Sequence, residues 1–119
     1  MEKLIKNITS ETVFLMEKQV EYMSGQIVSK TLAQNSAVSL TVFAFDKGEE
    51  ISSHRSGGDA MITVLDGTGE ITIDGKKYTV HKGESIIMPA GKPHAVFALE
   101  RFKMFLTVIF PSPIQKIMD

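Results

Sequence analysis

Residues that form turns are concentrated in the middle of the chain, and their spacing limits how long any regular element there can be. Eight of the nine glycines lie within residues 48–91, and Pro89 and Pro93 lie at the end of that stretch. Segments between such closely spaced turns are short, which is typical of strands in sheet proteins. The spacing therefore predicts an all-β sandwich or barrel of about ten short strands.

The segments between the turns carry strand patterns. Runs rich in β-branched and aromatic residues, or alternating between polar and apolar ones, predict strands. These runs cover residues 25–33, 39–45, 60–65, 70–74, 77–81, 84–88, 95–99 and 102–110. Asp74 and Gly75 predict a hairpin turn, because a type I′ turn needs positive φ at both central residues.

The two ends of the chain are less regular. Ser10 is suited to cap a helix over residues 11–23, with Gly25 just beyond its end. The same segment also reads as a strand, a turn and a second strand, and we favour this second interpretation. The tail, residues 112–119, is expected either to form one helical turn or to lack regular structure.

Composition excludes several kinds of site and partner. The chain has no cysteine, so disulfides, thiolate nucleophiles, thiolate zinc sites and iron–sulfur clusters are excluded. A net charge of −1 without Lys/Arg runs indicates no nucleic-acid partner and no membrane partner. The apolar runs are far shorter than the ~20 residues of a membrane span, and the start has no apolar signal core. We predict one cytoplasmic domain over residues 1–119.

Two segments combine glycine, proline and histidine at suggestive spacings. The first reads GEEISSHRSGGDAMITVLDG over residues 48–67, and the second reads GESIIMPAGKPHAVFA over residues 83–98. They resemble the two motifs of the cupin superfamily, G-x5-H-x-H-x3,4-E-x6-G and G-x5-P-x-G-x2-H-x3-N. The resemblance spans nearly the whole chain and implies the cupin double-stranded β-helix, which is a jelly-roll barrel.

The resemblance is incomplete where family members hold a metal. His54 matches the first motif histidine, and His94 matches the histidine of the second motif. Ser56 stands at the second histidine position, Ala60 at the glutamate position and Ala98 at the final asparagine position. A serine hydroxyl is a poor ligand for these metals and alanine cannot bind one, whereas tight sites use three or four protein ligands. We therefore expect a degenerate metal site and no resident cofactor.

Asp59 is the candidate replacement for the missing glutamate. With His54 and His94 it would form a two-histidine, one-carboxylate site suited to Fe(II) or a similar divalent transition metal. Strand alternation points Asp59 away from the interior, although the flanking Gly57 and Gly58 are able to redirect it through a bulge.

Alternation also predicts what lines the barrel. Starting from Ala60 and His94, it places Ile62, Val64 and Val96 inside. The predicted ligand-binding residues are His54, Ser56, Ala60, Ile62, His94, Val96 and Ala98. Alternation points Arg55 outward, and His81 is interpreted as a surface residue.

Three functions remain open. The leading hypothesis is a small stand-alone cupin that binds a small organic molecule in its barrel. The alternative is a metal-dependent enzyme of dioxygenase or isomerase type that uses His54, His94 and Asp59. A third is an interaction module in which a filled barrel is only a scaffold. The two histidines themselves fit a hydrogen-bonded pair, contacts to an organic ligand, or metal ligation.

A homodimer is also predicted. The run over residues 102–110 and the N-terminal strands are too apolar to stay exposed to water in a monomer, and small cupins often pair through sheet faces.

Overall fold

Two antiparallel sheets make up almost all of the regular structure. The computed structural model describes residues 3–112. Its strands are β1 Ile27–Gln34, β2 Val38–Phe45, β3 Glu50–His54, β4 Asp59–Asp66, β5 Thr68–Ile73, β6 Lys76–His81, β7 Ser85–Met88, β8 His94–Ala98 and β9 Phe102–Ile109. The order is β1-β2-β9-β4-β7 in one sheet and β3-β8-β5-β6 in the other. The predicted all-β jelly-roll fold is confirmed, with nine strands among residues 3–112.

The hydrophobic core lies between the facing sides of the two sheets. In β4, Ala60, Ile62 and Val64 are buried, whereas Met61 between them is exposed, as side-chain alternation along a strand requires. Phe45 and Phe102 stack with their ring centroids 4.6 Å apart. Burial of this apolar surface is the main favourable contribution to folding, about 25 cal/mol per Å².

Two tight turns explain where glycine is required. Gly67 has a φ of 72°, and a Cβ at this position would overlap the backbone carbonyl of Arg101. Asp74 and Gly75 both have positive φ, at 50° and 81°, so the predicted hairpin between β5 and β6 is present. A residue with a larger side chain at position 67 would have to displace the turn that leads into β9.

Neither interpretation of residues 10–24 is correct. The segment contains one 3-10 helix, Met16–Gln19, and no strand. Val20 is buried against Val42 and Ala44 on the outer side of the five-stranded sheet. The segment is therefore held by side-chain packing on the outer side of the sheet. This packing does not require the segment to form a helix or strand over its whole length.

Two further predictions concern the C-terminal tail and membrane-spanning segments. The tail predicted over residues 112–119 lies almost entirely outside the described residues. Within residues 3–112, no helix combines the length and the apolar character needed to cross a membrane.

Candidate functional site

The two motif histidines face each other across neighbouring strands. His54 at the end of β3 and His94 at the start of β8 are register partners. Their Nε2 atoms are 3.1 Å apart, and their ring centroids are 4.3 Å apart at an interplanar angle of 70°. The structure therefore brings together the two residues that the motif comparison singled out.

A bulge in β3 produces this pairing. Ile51 pairs with Val96 and His54 pairs with His94, so three steps along β3 match two steps along β8. Without the extra residue, strict pairing would put Ser53 opposite His94. The bulge allows Ile51 and His54 to face the same interior although they are an odd number of residues apart.

Backbone carbonyls favour the same tautomer in both rings. Nδ1 of His54 is 3.1 Å from the carbonyl oxygen of Ser52, and Nδ1 of His94 is 3.2 Å from that of Lys92. A carbonyl oxygen only accepts, so each Nδ1 is the donor, and each neutral ring presents the lone pair of Nε2 to the other. The Nε2–Nε2 contact becomes a hydrogen bond when one of these atoms carries a proton.

The surroundings of His94 oppose its protonation. The residue is only 4% exposed. Burial, and then the charge on His54, lower the pKa of His94, while the hydrogen bond to the Lys92 carbonyl partly offsets this. The His94 ring therefore binds a proton less readily than a histidine side chain in water does.

A cavity of about 250 Å³ lies between the sheets and opens at the histidine pair. Its lining is mainly aliphatic, aromatic and thioether side chains. The lining residues are Phe43, Ile51, His54, Arg55, Ser56, Ala60, Ile62, Met88, His94, Val96, Met104, Leu106 and Val108. An apolar cavity with a few convergent polar groups is the usual form of a small-molecule site, although this one lies just below the typical volume range of ~300–1,000 Å³.

Six of the seven predicted ligand-binding residues line this cavity. Ala98 does not, because it is completely buried in the packed core further along β8. Ser56 lines the mouth, and its Oγ accepts a hydrogen bond of 3.2 Å from the backbone N–H of Gly58. Ala60 leaves space at the position where the cupin motif has glutamate.

Arg55 is exposed, as expected, and it also lies at the edge of the cavity mouth. β3 ends at His54, and strand alternation no longer applies to the next residue. Nη1 of Arg55 donates a 2.7 Å hydrogen bond to the carbonyl of Gly91, and the N–H of Gly91 donates a 2.9 Å bond to the carbonyl of Ser56. The adjacent Gly57 and Gly58 are the sequence signal that the strand stops here.

Asp59 is not brought together with the histidines. It is the first residue of β4 and faces away from the interior, because its neighbour Ala60 faces inward. Its Oδ1 accepts a 2.8 Å hydrogen bond from the backbone N–H of Ala90. The carboxylate thus joins the start of β4 to the loop after β7.

The donor set does not fit a metal held by three or more protein ligands. Among the residues that the structure describes, no group of three or more His, Asp or Glu side chains is arranged to hold a metal ion. His81 offers no help: it is exposed, as expected, and its Nδ1 lies 3.0 Å from Oε1 of Glu84 on the surface. A metal at the mouth would have only His54 and His94 as strong ligands.

Comparison with known proteins identifies relatives of the same architecture. Residues 41–110 match the sequence profile of the cupin domain. A conserved protein of unknown function from Streptococcus pyogenes is 45% identical, with a TM-score of 0.91 over 93% of this chain and 97% of that chain. A cupin superfamily protein from Desulfitobacterium hafniense is 30% identical, with a TM-score of 0.85 over 90% of this chain and 98% of that chain. No curated protein matches the chain.

Proposed function

Because the chain belongs to the cupin domain family, we propose that it is a small barrel protein that binds a small organic molecule between its two sheets. The observation that carries the proposal is the cavity of about 250 Å³ beside the histidine pair. A barrel that served only as a scaffold would be expected to have an interior filled by its own side chains, without such a cavity. The interaction-module hypothesis is accordingly disfavoured.

The lining supports an organic ligand with an apolar part. Met88 and Met104 are buried in the cluster that surrounds the cavity, and methionine adapts to irregular shapes. At the mouth, His54 and His94 present ring nitrogens that accept a hydrogen bond when neutral or donate one when protonated. The same two rings therefore give a bound molecule orientation, while the apolar residues give it affinity.

The metal-dependent alternative has weaker support. Two imidazoles can bind a metal, but Ser56 and Ala60 supply no further strong ligand, and Asp59 is engaged elsewhere. The chemistry of these donors favours a site whose ligand is organic, because catalytic metal centres generally keep three protein ligands.

A cavity-filling substitution tests the proposal. In Ala60→Leu the added side chain occupies the cavity, whereas Ala95→Leu makes the same change on the outer side of β8 as a matched control. Hexanol and hexanoate serve as probes, followed by backbone amide NMR shifts. We expect wild type and Ala95→Leu to show saturable shifts around Ile62 and Met104, and Ala60→Leu to show none.

Two results would overturn the proposal. One is the absence of saturable shifts in wild type with either probe. The other is an equal response in Ala60→Leu. Elemental analysis of the purified protein separates the alternative function: a stoichiometric transition metal that survives dialysis and disappears in His54→Ala would favour the metal-dependent enzyme.

A further inference from the structure

The cavity mouth carries a positive charge that nothing in the described structure balances. Arg55 is the single Lys or Arg that lines the cavity, and no Asp or Glu is among its lining residues. Within residues 3–112, the ion pairs are Lys77–Glu70, His81–Glu84 and Arg101–Asp46, so Arg55 has no acidic partner there. An unpaired guanidinium beside an apolar cavity attracts an anion.

The guanidinium is also oriented. Nη1 of Arg55 is engaged by the carbonyl of Gly91 at 2.7 Å, which holds the planar group at the mouth. A guanidinium has five N–H donors, so this bond leaves donors available for a ligand. The planar fork of an arginine matches the two oxygens of a carboxylate better than a lysine does.

The remainder of the cavity is lined by apolar side chains, so the rest of the ligand is expected to be hydrocarbon. Ile62 and Met104 are at most 1% exposed, and Met88 is 2% exposed, so no charged group on the ligand would find a partner among them. The volume of about 250 Å³ equals the liquid volume of roughly eight water molecules. That space accommodates a chain of about six carbons.

We propose that the cavity binds a small amphipathic carboxylate, with its carboxylate on the Arg55 guanidinium at the mouth and its hydrocarbon part between the sheets. This inference rests on the proposed function, since it names the class of molecule that the cavity takes. His54 and His94 line the same mouth and contribute polar contacts beside the carboxylate.

The test compares hexanoate with hexanol in three variants. Arg55→Gln removes the charge, Arg55→Lys keeps it, and Lys82→Gln makes the same loss of charge on the exposed turn between β6 and β7. Titration calorimetry gives the dissociation constants. We expect wild type to prefer hexanoate over hexanol by roughly threefold to tenfold, because the Arg55 guanidinium is exposed and water weakens its attraction for a carboxylate.

The variants distinguish recognition from a merely structural role of Arg55. Arg55→Gln should weaken hexanoate binding by roughly threefold to tenfold and leave hexanol binding unchanged, whereas Arg55→Lys should keep part of the preference and Lys82→Gln all of it. Equal affinity of wild type for the two probes, or equal weakening of both in Arg55→Gln, overturns the inference while the cavity still binds. Binding of neither probe overturns the proposed function itself.

Discussion

Single side chains at the mouth decide which chemistry the barrel offers. The cupin motif has histidine and glutamate where this chain has Ser56 and Ala60, and those two changes remove strong ligands and leave space. His54 and His94 remain and are 3.1 Å apart at Nε2. The result is a polar pair at the edge of an apolar cavity, which suits recognition of an organic group.

The pH dependence of stability follows from the lowered pKa of His94. The unfolded chain protonates this ring with a pKa of about 6.5, whereas the folded protein binds the proton only at lower pH. At a pH between the pKa of His94 in the unfolded chain and its lower pKa in the folded protein, the unfolded state holds more protons. His94 therefore contributes stability that is present above pH ~6.5 and is lost as the pH falls below it.

Thermal unfolding of His94→Gln measures this contribution. Between about pH 7.5 and about pH 5.5, which spans the ordinary histidine pKa, we expect the unfolding temperature of wild type to fall more than that of His94→Gln. His81→Gln serves as the control for removing an exposed histidine; because it keeps His94 and loses only the contact with Glu84, its unfolding temperature should still fall by more than that of His94→Gln. Parallel curves for wild type and His94→Gln would contradict the assignment.

Gly67 provides a second prediction at the scale of one residue. Gly67→Ala adds a Cβ that overlaps the Arg101 carbonyl and occupies a φ of 72°. Gly75→Ala has a comparable φ of 81° with open space around it, so it isolates the backbone strain, about 1–2 kcal/mol. In urea unfolding we expect Gly67→Ala to lose at least ~1 kcal/mol more than Gly75→Ala; equal losses would show that the close approach does not matter.

At the scale of elements, the sequence predicts the strands well and the local irregularities poorly. Alternation correctly places Ala60, Ile62 and Val96 inside, because each lies within an uninterrupted strand. It does not show that the exposed Arg55 also lines the cavity mouth, because Arg55 follows the end of β3. The bulge before His54 is equally invisible in the sequence, since pairing with β8 determines it and Ser52 and Ser53 carry no pattern of their own.

The N-terminal segment shows the same limit. Its backbone follows tertiary contacts: the buried Lys103 donates from Nζ to the carbonyl of Glu17 at 2.7 Å, and its Nζ lies 5.0 Å from the ring centroid of Tyr22. Burial and Asp66 raise the pKa of Tyr22, so its hydroxyl keeps the proton and donates to Oδ2 of Asp66 at 2.6 Å. Local sequence patterns do not record contacts between residues so far apart in the chain.

Tyr22→Phe tests whether this contact holds the segment on the sheet. The substitution removes the hydroxyl and leaves the ring, so we expect the free energy of unfolding to fall by about 1–2 kcal/mol, as for a hydrogen bond to a charged partner at a half-buried site. Tyr78→Phe is the matched control, because no hydrogen bond of its hydroxyl is found within residues 3–112. Urea unfolding of both variants provides the measurement, and a loss in Tyr78→Phe as large as that in Tyr22→Phe would contradict the role of Asp66.

At the scale of the whole molecule, the five-stranded sheet uses its two sides differently. Its inner side forms the cavity and core, and part of its outer side is covered by Val20 and its neighbours. The apolar character of β9 is therefore explained in part within one chain: Phe102 and Met104 are buried in the core, and Phe105 packs in the outer cluster. Several apolar side chains of the N-terminal segment, such as Val13 and Leu15, remain exposed, and on the outer side of the sheet Met61, Ile87 and Ile109 form a smaller exposed apolar patch.

This patch is where we expect the homodimer to form. Met61 pairs with Ile87 across β4 and β7, and Ile109 lies on the same outer side of β9. Ile87 and Ile109 are 60% and 62% exposed, which is unfavourable for large aliphatic side chains unless a second surface covers them.

Light scattering at micromolar concentration should give twice the chain mass for wild type and the single chain mass for Ile87→Lys. Leu99→Lys, which makes the same change in the turn between β8 and β9, should remain dimeric. A monomeric wild type would refute the dimer, and an Ile87→Lys variant that stays dimeric would place the interface elsewhere.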